Sequence, residues 1–308
     1  MAATHDVSNQ PPPLVDYDVF TTDLALVEGV QRHQASWAIE SLTELGRRAG
    51  SEEAQSWGRL ANVNPPRLVT HDRYGHRIDE VEFHPSWHEL MTVAIDNGLH
   101  SSSWTDPKPG AQVARAAAFS VWSHTEGGHG CPISMTHAAV PALRVDPVLA
   151  AEWEPRLMSR TYDPGLRVPA EKAGCLAGMG MTEKQGGSDV RTNTTRAVPA
   201  EDGTYRLTGH KWFTSAPMCD VFLVLAQAPG GLSCFVVPRI LPDGTRNTFR
   251  IQRLKDKLGN KSNASSEPEF EDTVGWRLGD EGAGVRTIIE MVTSTRLDCV
   301  IGTTTLMR

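Results

Sequence analysis

Hydrophobic positions follow a helical period in the first half of the chain. In HPSWHELMTVAIDNGLH, apolar residues recur at i, i+3, i+4, i+7 and i+8 from Trp87 to Ile95, with Pro85 suited to a first turn and Gly98 to a stop. This pattern predicts an amphipathic helix. Weaker helical patterning covers about residues 28–48 and the segment AQVARAAAFSVWSH, and DPVLAAEWEPRLMSR begins with an Asp-Pro helix start. The first half is therefore predicted to be a helical bundle.

After about Gly174 the pattern changes to short β-branched or aromatic runs. GTYRLTGHKWFTSA, DVFLVLAQA, LSCFVVPRI and TFRIQRL are separated by EDG, PGG and PDG turns, which is typical of an antiparallel β domain. Helical periodicity returns near the end of the chain, where it places Val285, Ile288, Ile289 and Val292 on one face. Because one helix cannot close a domain, we expect this helix to open a third domain that the chain does not complete.

These patterns predict an α+β fold class. The predicted order is a flexible segment over 1–20, an N-terminal helical domain over 21–176, a central antiparallel β-barrel or sandwich over 177–278, and the truncated start of a C-terminal helical domain over 279–308.

Composition narrows the classes of partner and compartment. Thirty Lys and Arg against 37 Asp and Glu give a net charge of −7, so no global basic field exists to attract nucleic acid or an anionic membrane. The five cysteines include no C-x-x-C pair, which argues against a disulfide framework and a structural zinc site. Because we find neither a secretory leader nor an apolar run of about 18 residues, we expect a cytoplasmic protein without membrane contact.

The glycine-rich stretch GMGMTEKQGGSD matches no standard nucleotide loop. A dinucleotide fingerprint needs a third glycine where Glu183 stands, and no βαβ unit surrounds it. LGNKSN fails as a P-loop because Asn260 separates its glycine from its lysine and the first glycine is missing. On these residues alone, the stretch is either an ordinary turn or a ligand loop of another kind.

Two further clusters suggest chemistry but have simpler interpretations. HTEGGHGCP holds His124, Glu126, His129 and Cys131, but their spacing fits no zinc motif, so we interpret it as a loop after a helix and expect no metal. The basic run between 250 and 261 could touch phosphates of nucleic acid or coenzyme A; the alternative is a solvated strand edge that discourages aggregation. Its members are Arg250, Arg253, Lys255, Lys257 and Lys261.

The ligand-loop interpretation gains support about 24 residues beyond Ser188, where GHKWFTSA follows a tight turn. Together the two stretches resemble the acyl-CoA dehydrogenase family, whose flavin loop has the form T-E-x-x-x-G-S-D and precedes a G-x-K-x-W/F-x-T/S strand. The resemblance covers nearly all of the chain beyond about residue 80. More narrowly, LANVNPPRL, GMGMTEKQGGSDV, NTTRA, GGLSCFVVPRILPDG and KDKLGNKSNAS resemble the alkylation-response, AidB-type branch.

The resemblance implies an acyl-CoA dehydrogenase-like fold and FAD as cofactor. Glycines such as Gly187 let backbone N–H groups approach phosphate oxygens, and the Ser188 hydroxyl can donate as well. Thr182 would donate to the flavin where negative charge accumulates, Trp212 would pack on the ring, and Thr214 would hydrogen-bond near N5. The full set of implied cofactor contacts is Met179, Met181, Thr182, Gly187, Ser188, Trp212, Phe213, Thr214 and Ser215.

The implied reaction is hydride transfer from an acyl thioester to flavin, assisted by a carboxylate base. In some relatives the base directly precedes an arginine in the first helix of the last domain, but here Thr295 precedes Arg296. We therefore expect the catalytic base to be absent from this chain, with Arg296 as a candidate substrate contact and Glu290 as an unsupported substitute.

Two alternatives to an enzyme stay open at this point. One is a DNA-associated alkylation-stress flavoprotein with little turnover, whose DNA contacts the resemblance places beyond this chain. The other is an inactive fragment. The resemblance also implies a homo-oligomer, a tetramer in the full-length form.

Overall fold

The computed structural model describes residues 4, 7–187 and 189–308. Helices predominate in the first half and strands in the second. The helices are α1 (Leu24–Arg32), α2 (Ile39–Gly50), α3 (Glu52–Val63), α4 (Pro85–Asp96), α5 (Ser102–Thr105), α6 (Ala111–Ser123), α7 (Gly130–Leu143), α8 (Pro147–Leu157) and α9 (Gly284–Met307). The strands are β1 (Arg67–His71), β2 (Arg77–Glu82), β3 (Ala177–Gly180), β4 (Arg196–Pro199), β5 (Tyr205–His210), β6 (Thr214–Ser215), β7 (Val221–Ala228), β8 (Gly231–Pro238), β9 (Arg250–Leu254) and β10 (Ser265–Leu278).

The helices predicted with clear start and stop signals are confirmed. Helix α4 begins at Pro85, and Gly98 just beyond its end has a φ of +66°, a conformation that glycine adopts at little cost. Helix α8 begins after Asp146, whose carboxylate accepts hydrogen bonds from the N–H groups of Val148 and Leu149 at 3.0 and 3.1 Å. Capping residues thus set these boundaries.

The predicted helical segment over 28–48 is interrupted. Helix α1 ends at Arg32, Gln34 has a φ of +62°, and α2 begins only at Ile39. The sequence prediction also missed the antiparallel hairpin of β1 and β2, which lies within the segment predicted to be a helical domain.

The strands from β3 onward form one eight-stranded sheet within the described chain, as the predicted central β domain requires. Most pairings are antiparallel. The long strand β10 pairs with four strands, β5, β6, β8 and β9. However, β3 and β4 pair with β7 in parallel, so the purely antiparallel prediction is wrong in this detail. Strand β7 is buried from Val221 to Ala226, consistent with a central strand covered on both faces.

The helical part packs directly on the sheet. The N–H of Ala177 in β3 donates to the Thr136 hydroxyl of α7 at 3.0 Å, and α9 packs along both α6 and α7. Arg115 of α6 and Asp298 of α9 form a bidentate ion pair, with 2.8 Å between Nη2 and Oδ2 and side-chain exposures of only 3% and 2%. The last helix is therefore fixed to the first half of the chain by a buried pair.

The predicted apolar face of α9 is only partly buried. Ile288 and Val292 face the core, whereas Val285 and Ile289 are 39% and 38% exposed. No described helix is both long enough and apolar enough to cross a bilayer. The domain boundaries after residues 20, 176 and 278 stay predictions.

Candidate functional site: a cavity between the sheet and the helices

A buried glutamate anchors the glycine-rich loop. Glu183 follows β3, and its carboxylate lies 2.9 Å from Nζ of Lys211, with neither side chain exposed to solvent. The same carboxylate accepts hydrogen bonds from the N–H groups of Thr194 and Thr195 at 2.7 and 3.0 Å, and from the Gln185 amide at 2.6 Å. Because Lys211 belongs to GHKWFTSA, this pair joins the two stretches that carry the family resemblance.

The environment of Glu183 favours its charged form. Burial alone would raise the pKa of Glu183, but the hydrogen bonds from Thr194 and Thr195 and the Lys211 ammonium hold it well below its ordinary value of 4.5. A backbone hydrogen bond of 2.8 Å from Trp212 N–H to the Thr182 carbonyl adds to the connection. The glycine-rich loop and the GHKWFTSA stretch are therefore held together at neutral pH.

These two stretches form one side of a large cavity of about 1060 Å³. We call that side the strand wall; it consists of Met179, Met181, Thr182, Phe213 and Ser215. Thr182 is partly exposed and lines the cavity, so its hydroxyl is accessible to a ligand. Five of the nine cofactor contacts predicted from sequence thus share one wall.

Trp212 and Thr214 do not line the cavity, because successive residues of an extended chain point to opposite sides. The Trp212 ring instead lies under Lys255, whose Nζ is 3.2 Å from the ring centroid, with Lys184 and Arg253 at 5.5 and 5.7 Å. Thr214 is buried, and its hydroxyl has no hydrogen-bond partner among the described residues. The cofactor roles of Trp212 and Thr214 stay predictions, whereas Phe213 and Ser215 line the cavity.

The phosphate cradle is described only in part. Gly187 is exposed, and a Cβ added there would meet no described atom within 4 Å, so the backbone is open to a ligand. Ser188 lies outside the described residues. The predicted phosphate contacts of Gly187 and Ser188 therefore stay predictions.

Helices and loops from distant parts of the sequence form the opposite side, which we call the helix wall. Sequence reasoning missed these residues, apart from interpreting HTEGGHGCP as a loop. They are Gln55, Gly58, Arg59 and Asn62 of α3; Phe119, Ser123, His124, Thr125, Glu126 and Gly127 around the end of α6; Gly130, Cys131, Ser134 and Met135 of α7; Asn260; and Thr295, Asp298, Cys299, Gly302, Thr303 and Leu306 of α9.

Both carboxylates of the helix wall are fully engaged. Glu126 accepts hydrogen bonds from the Ser262 hydroxyl at 2.6 Å, the Gly128 N–H at 2.7 Å and the Asn62 amide at 3.0 Å. Although burial opposes it, contacts with His129, Ser262 and Gly128 lower the pKa of Glu126 to about 2, and Asp298 is held by Arg115. Neither is therefore placed to accept a proton from a substrate.

The remaining candidates lie away from the cavity. Arg296 and Glu290 are exposed on α9 and do not line it, so the substrate role of Arg296 stays a prediction. His129 contacts Glu126 at 3.4 Å, but the described residues include no group of three side chains that could hold a metal ion. In the basic run, Arg250 pairs with Glu271, and Arg253 and Lys255 pair with Glu267.

Two family models match this sequence. The N-terminal domain of the adaptive response protein AidB matches residues 9–164, and the middle domain of acyl-CoA dehydrogenases matches residues 178–273. AidB of Escherichia coli (strain K12) is 52% identical over 307 residues, which is 99% of this chain and 57% of that protein. Acyl-CoA dehydrogenase family member 11 of Caenorhabditis elegans is 34% identical over 87% of this chain and 45% of its own length.

The solved structures agree with these matches. The crystal structure of Caenorhabditis elegans ACDH-11 in complex with C11-CoA has a TM-score of 0.87 and 30% identity, covering 98% of this chain and 53% of that one. The chain thus spans roughly half the length of these relatives.

Proposed function

Because this chain belongs to the AidB branch of the acyl-CoA dehydrogenase family, we propose that its cavity binds the isoalloxazine ring of FAD against the strand wall. The observation that carries this proposal is the buried Glu183–Lys211 pair, which holds Thr182 and the segment from Phe213 to Ser215 on one wall. In a flavin site, a ring face and oriented donors must be supplied together. The strand wall supplies both from two stretches that are held together.

The residues present fit such a cofactor. The cavity of about 1060 Å³ is large enough for a ring and part of a substrate. The Ser134 hydroxyl is buried and has no hydrogen-bond partner among the described residues, whereas Thr182 is partly exposed at the cavity. Buried hydroxyl groups are normally hydrogen-bonded, so the Ser134 hydroxyl is suited to meet a polar ligand atom.

Bound FAD would supply the hydride acceptor, and the protein would supply binding and orientation. Thr182 would donate a hydrogen bond to the ring system, Phe213 would pack against it, and Ser215 would bind its polar edge. The helix wall would then hold the substrate in the remaining space and exclude water. No described carboxylate in the cavity is free to serve as base, so we leave that role unassigned.

The substrate we propose is an acyl thioester. The C11-CoA named with the Caenorhabditis elegans ACDH-11 structure is a compound of this class, and that protein shares the fold over 98% of this chain. Apolar groups of Phe119, Met135 and Leu306 on the helix wall suit an acyl chain. The acyl length is not part of the proposal.

Three finer statements rest on the family resemblance alone. They are a role in the response to DNA alkylation, a homo-tetrameric assembly and a cytoplasmic location. No described contact favours DNA binding over the dehydrogenase function.

An FAD titration of the purified 308-residue chain, followed by flavin fluorescence, tests the proposal. We expect saturable binding that the double variant Thr182→Ala, Ser188→Ala weakens by at least tenfold. Thr304→Ala is the matched control, because Thr304 is exposed outside the cavity. A folded wild-type chain that binds no FAD would refute the proposal. Where FAD binds, anaerobic bleaching by an acyl-CoA tests the substrate class.

A further inference from the structure

Lys257 is a half-buried cation behind the strand wall. It lies on the loop between β9 and β10, and its Nζ donates to the Asn263 carbonyl at 2.6 Å and to the Ser265 hydroxyl at 3.3 Å. No described carboxylate lies within ion-pairing distance of it, whereas its neighbours Arg253 and Lys255 both pair with Glu267 at 2.7 Å. Lys257 is therefore a partly desolvated cation whose charge is not neutralised by direct contact with any described carboxylate.

A short chain of hydroxyl groups connects Lys257 to the cavity. Ser265, 2% exposed at the start of β10, lies with its Oγ 3.2 Å from Oγ of Ser215, and Ser215 lines the strand wall. The Cys131 thiol, on the helix wall, lies within hydrogen-bonding reach of Ser215 and Asn263. Lys257 is thus one hydroxyl removed from a group that contacts any ligand on this wall.

The Lys257 charge also acts on the Cys131 thiol, which lines the cavity. Burial raises the pKa of the Cys131 thiol, and the Lys257 ammonium acts in the opposite direction. Burial lowers the pKa of Lys257, and the charges of Cys131 and Glu126 act in the opposite direction. Glu126 already accepts hydrogen bonds at Oε1 from Ser262, Gly128 and Asn62, and at Oε2 from the His129 N–H.

We propose that Lys257, through Ser265 and Ser215, is a positioning residue that stabilises the reduced, negatively charged form of a flavin in this cavity. This inference rests on the proposed function. A preorganised charge in a site of low polarity stabilises charge that develops there, without reorganising at the moment of reaction. The Ser265–Ser215 chain also orients the Ser215 hydroxyl, since the Ser265 hydroxyl accepts a hydrogen bond from Lys257 and can donate one to Ser215.

The first test is the two-electron reduction potential of FAD bound to the chain, measured for wild type, Lys257→Gln and Lys257→Arg. We expect Lys257→Gln to shift the equilibrium about tenfold towards oxidised flavin, a potential about 30 mV lower. Lys257→Arg should restore most of the difference because it keeps the charge. Lys261→Gln is the matched control, since Lys261 is exposed on the same loop and makes no contact with the cavity.

The second test needs no cofactor. The rate at which iodoacetamide alkylates Cys131, followed by mass spectrometry of the peptide, reports the potential at the cavity wall because the thiolate is the reacting form. We expect Lys257→Gln to slow this reaction several-fold, and Lys257→Arg and Lys261→Gln to leave it near the wild-type rate. Ser265→Ala separates the two contributions of Lys257, because it breaks the hydroxyl chain and keeps the cation; we expect a smaller potential shift than in Lys257→Gln.

The outcomes distinguish this inference from the proposed function. If the wild-type chain binds FAD and its reduction potential is the same as that of Lys257→Gln, the inference is overturned and the proposed function is not. An unchanged Cys131 rate in Lys257→Gln also overturns it, because the charge would then not reach the cavity. A folded wild-type chain that binds no FAD refutes the proposed function, and the role of Lys257 towards a flavin is refuted with it.

Discussion

The strand wall and the helix wall of the cavity both depend on a buried ion pair, but the two carboxylates differ in their other partners. Glu183, which anchors the strand wall from behind, accepts hydrogen bonds from Thr194, Thr195 and Gln185 in addition to its contact with Lys211. Asp298 of the helix wall is bound by Arg115 alone among the described side chains. The first pair is one part of a network, whereas the second is a single connection between two helices. This difference predicts which wall tolerates the loss of its cation.

Arg115→Met is expected to have the largest effect. It leaves Asp298 buried without a partner, and breaking a buried pair in this way costs about 3–5 kcal/mol. Urea unfolding of wild type and variant measures the change. The double variant Arg115→Met, Asp298→Leu should recover much of the loss, and failure to recover would show that packing of the arginine stem, not the unpaired charge, matters.

Lys211→Met should cost less, about 1–3 kcal/mol, because the Glu183 carboxylate keeps its three other hydrogen-bonding neighbours. The same urea experiment measures it. Arg67→Met is the matched control: the Arg67–Glu82 pair is exposed and should contribute little. A loss in Lys211→Met equal to that in Arg115→Met would contradict the contrast between the walls.

Acid should weaken the strand wall through Glu183. Because the folded-state pKa of Glu183 lies below its ordinary value of 4.5, its contribution is fully present above about pH 4.5. That contribution is lost as the pH falls below 4.5 towards the depressed folded-state pKa. We expect Glu183→Gln to flatten the dependence of unfolding free energy on pH below about 5, measured by urea titrations at several pH values. An unchanged slope would mean that other carboxylates dominate.

The smallest expected effect concerns two neighbouring aromatic residues just before β6, Trp212 and Phe213. Phe213→Ala should weaken FAD binding about two- to tenfold, since a ring contact contributes roughly 0.5–1.5 kcal/mol. Trp212→Ala should have less effect, because its ring lies under Lys255 outside the cavity. Flavin fluorescence titrations measure both. The reverse order would restore the sequence-based assignment of Trp212 as the ring contact.

Sequence reasoning predicted the strand wall well because its residues lie in two short stretches. Thr182 and Ser215 are only a loop and a hairpin apart, so a local motif specifies them together. The assignment of Trp212 and Thr214 is one residue out of register with the strand form, which, aligned on Gly209 and Lys211, places Phe213 and Ser215 at its W/F and T/S positions. One residue of register exchanges the two sides of a strand.

The helix wall could not be predicted in the same way. Gln55, Cys131 and Thr303 come from three helices far apart in the sequence, and only packing brings them to one cavity. The parallel pairing of β3 with β7 likewise depends on contacts between segments that are more than 40 residues apart. Such contacts leave no local pattern in a single sequence.

Strand β10 has a consequence for the order in which the molecule folds. It pairs with β5, β6, β8 and β9, so the sheet cannot close until Ser265–Leu278 is available. During synthesis from the N-terminus, the helical part can collapse first. Strands β5 and β6, which follow the glycine-rich loop, cannot complete their pairing until β10 has been synthesised. Until β10 leaves the ribosome, β8 lacks this partner strand and has an unpaired edge. An apolar strand with an unpaired edge is prone to aggregate. We therefore expect soluble yield to depend on chaperone protection until the chain has been synthesised to about residue 278.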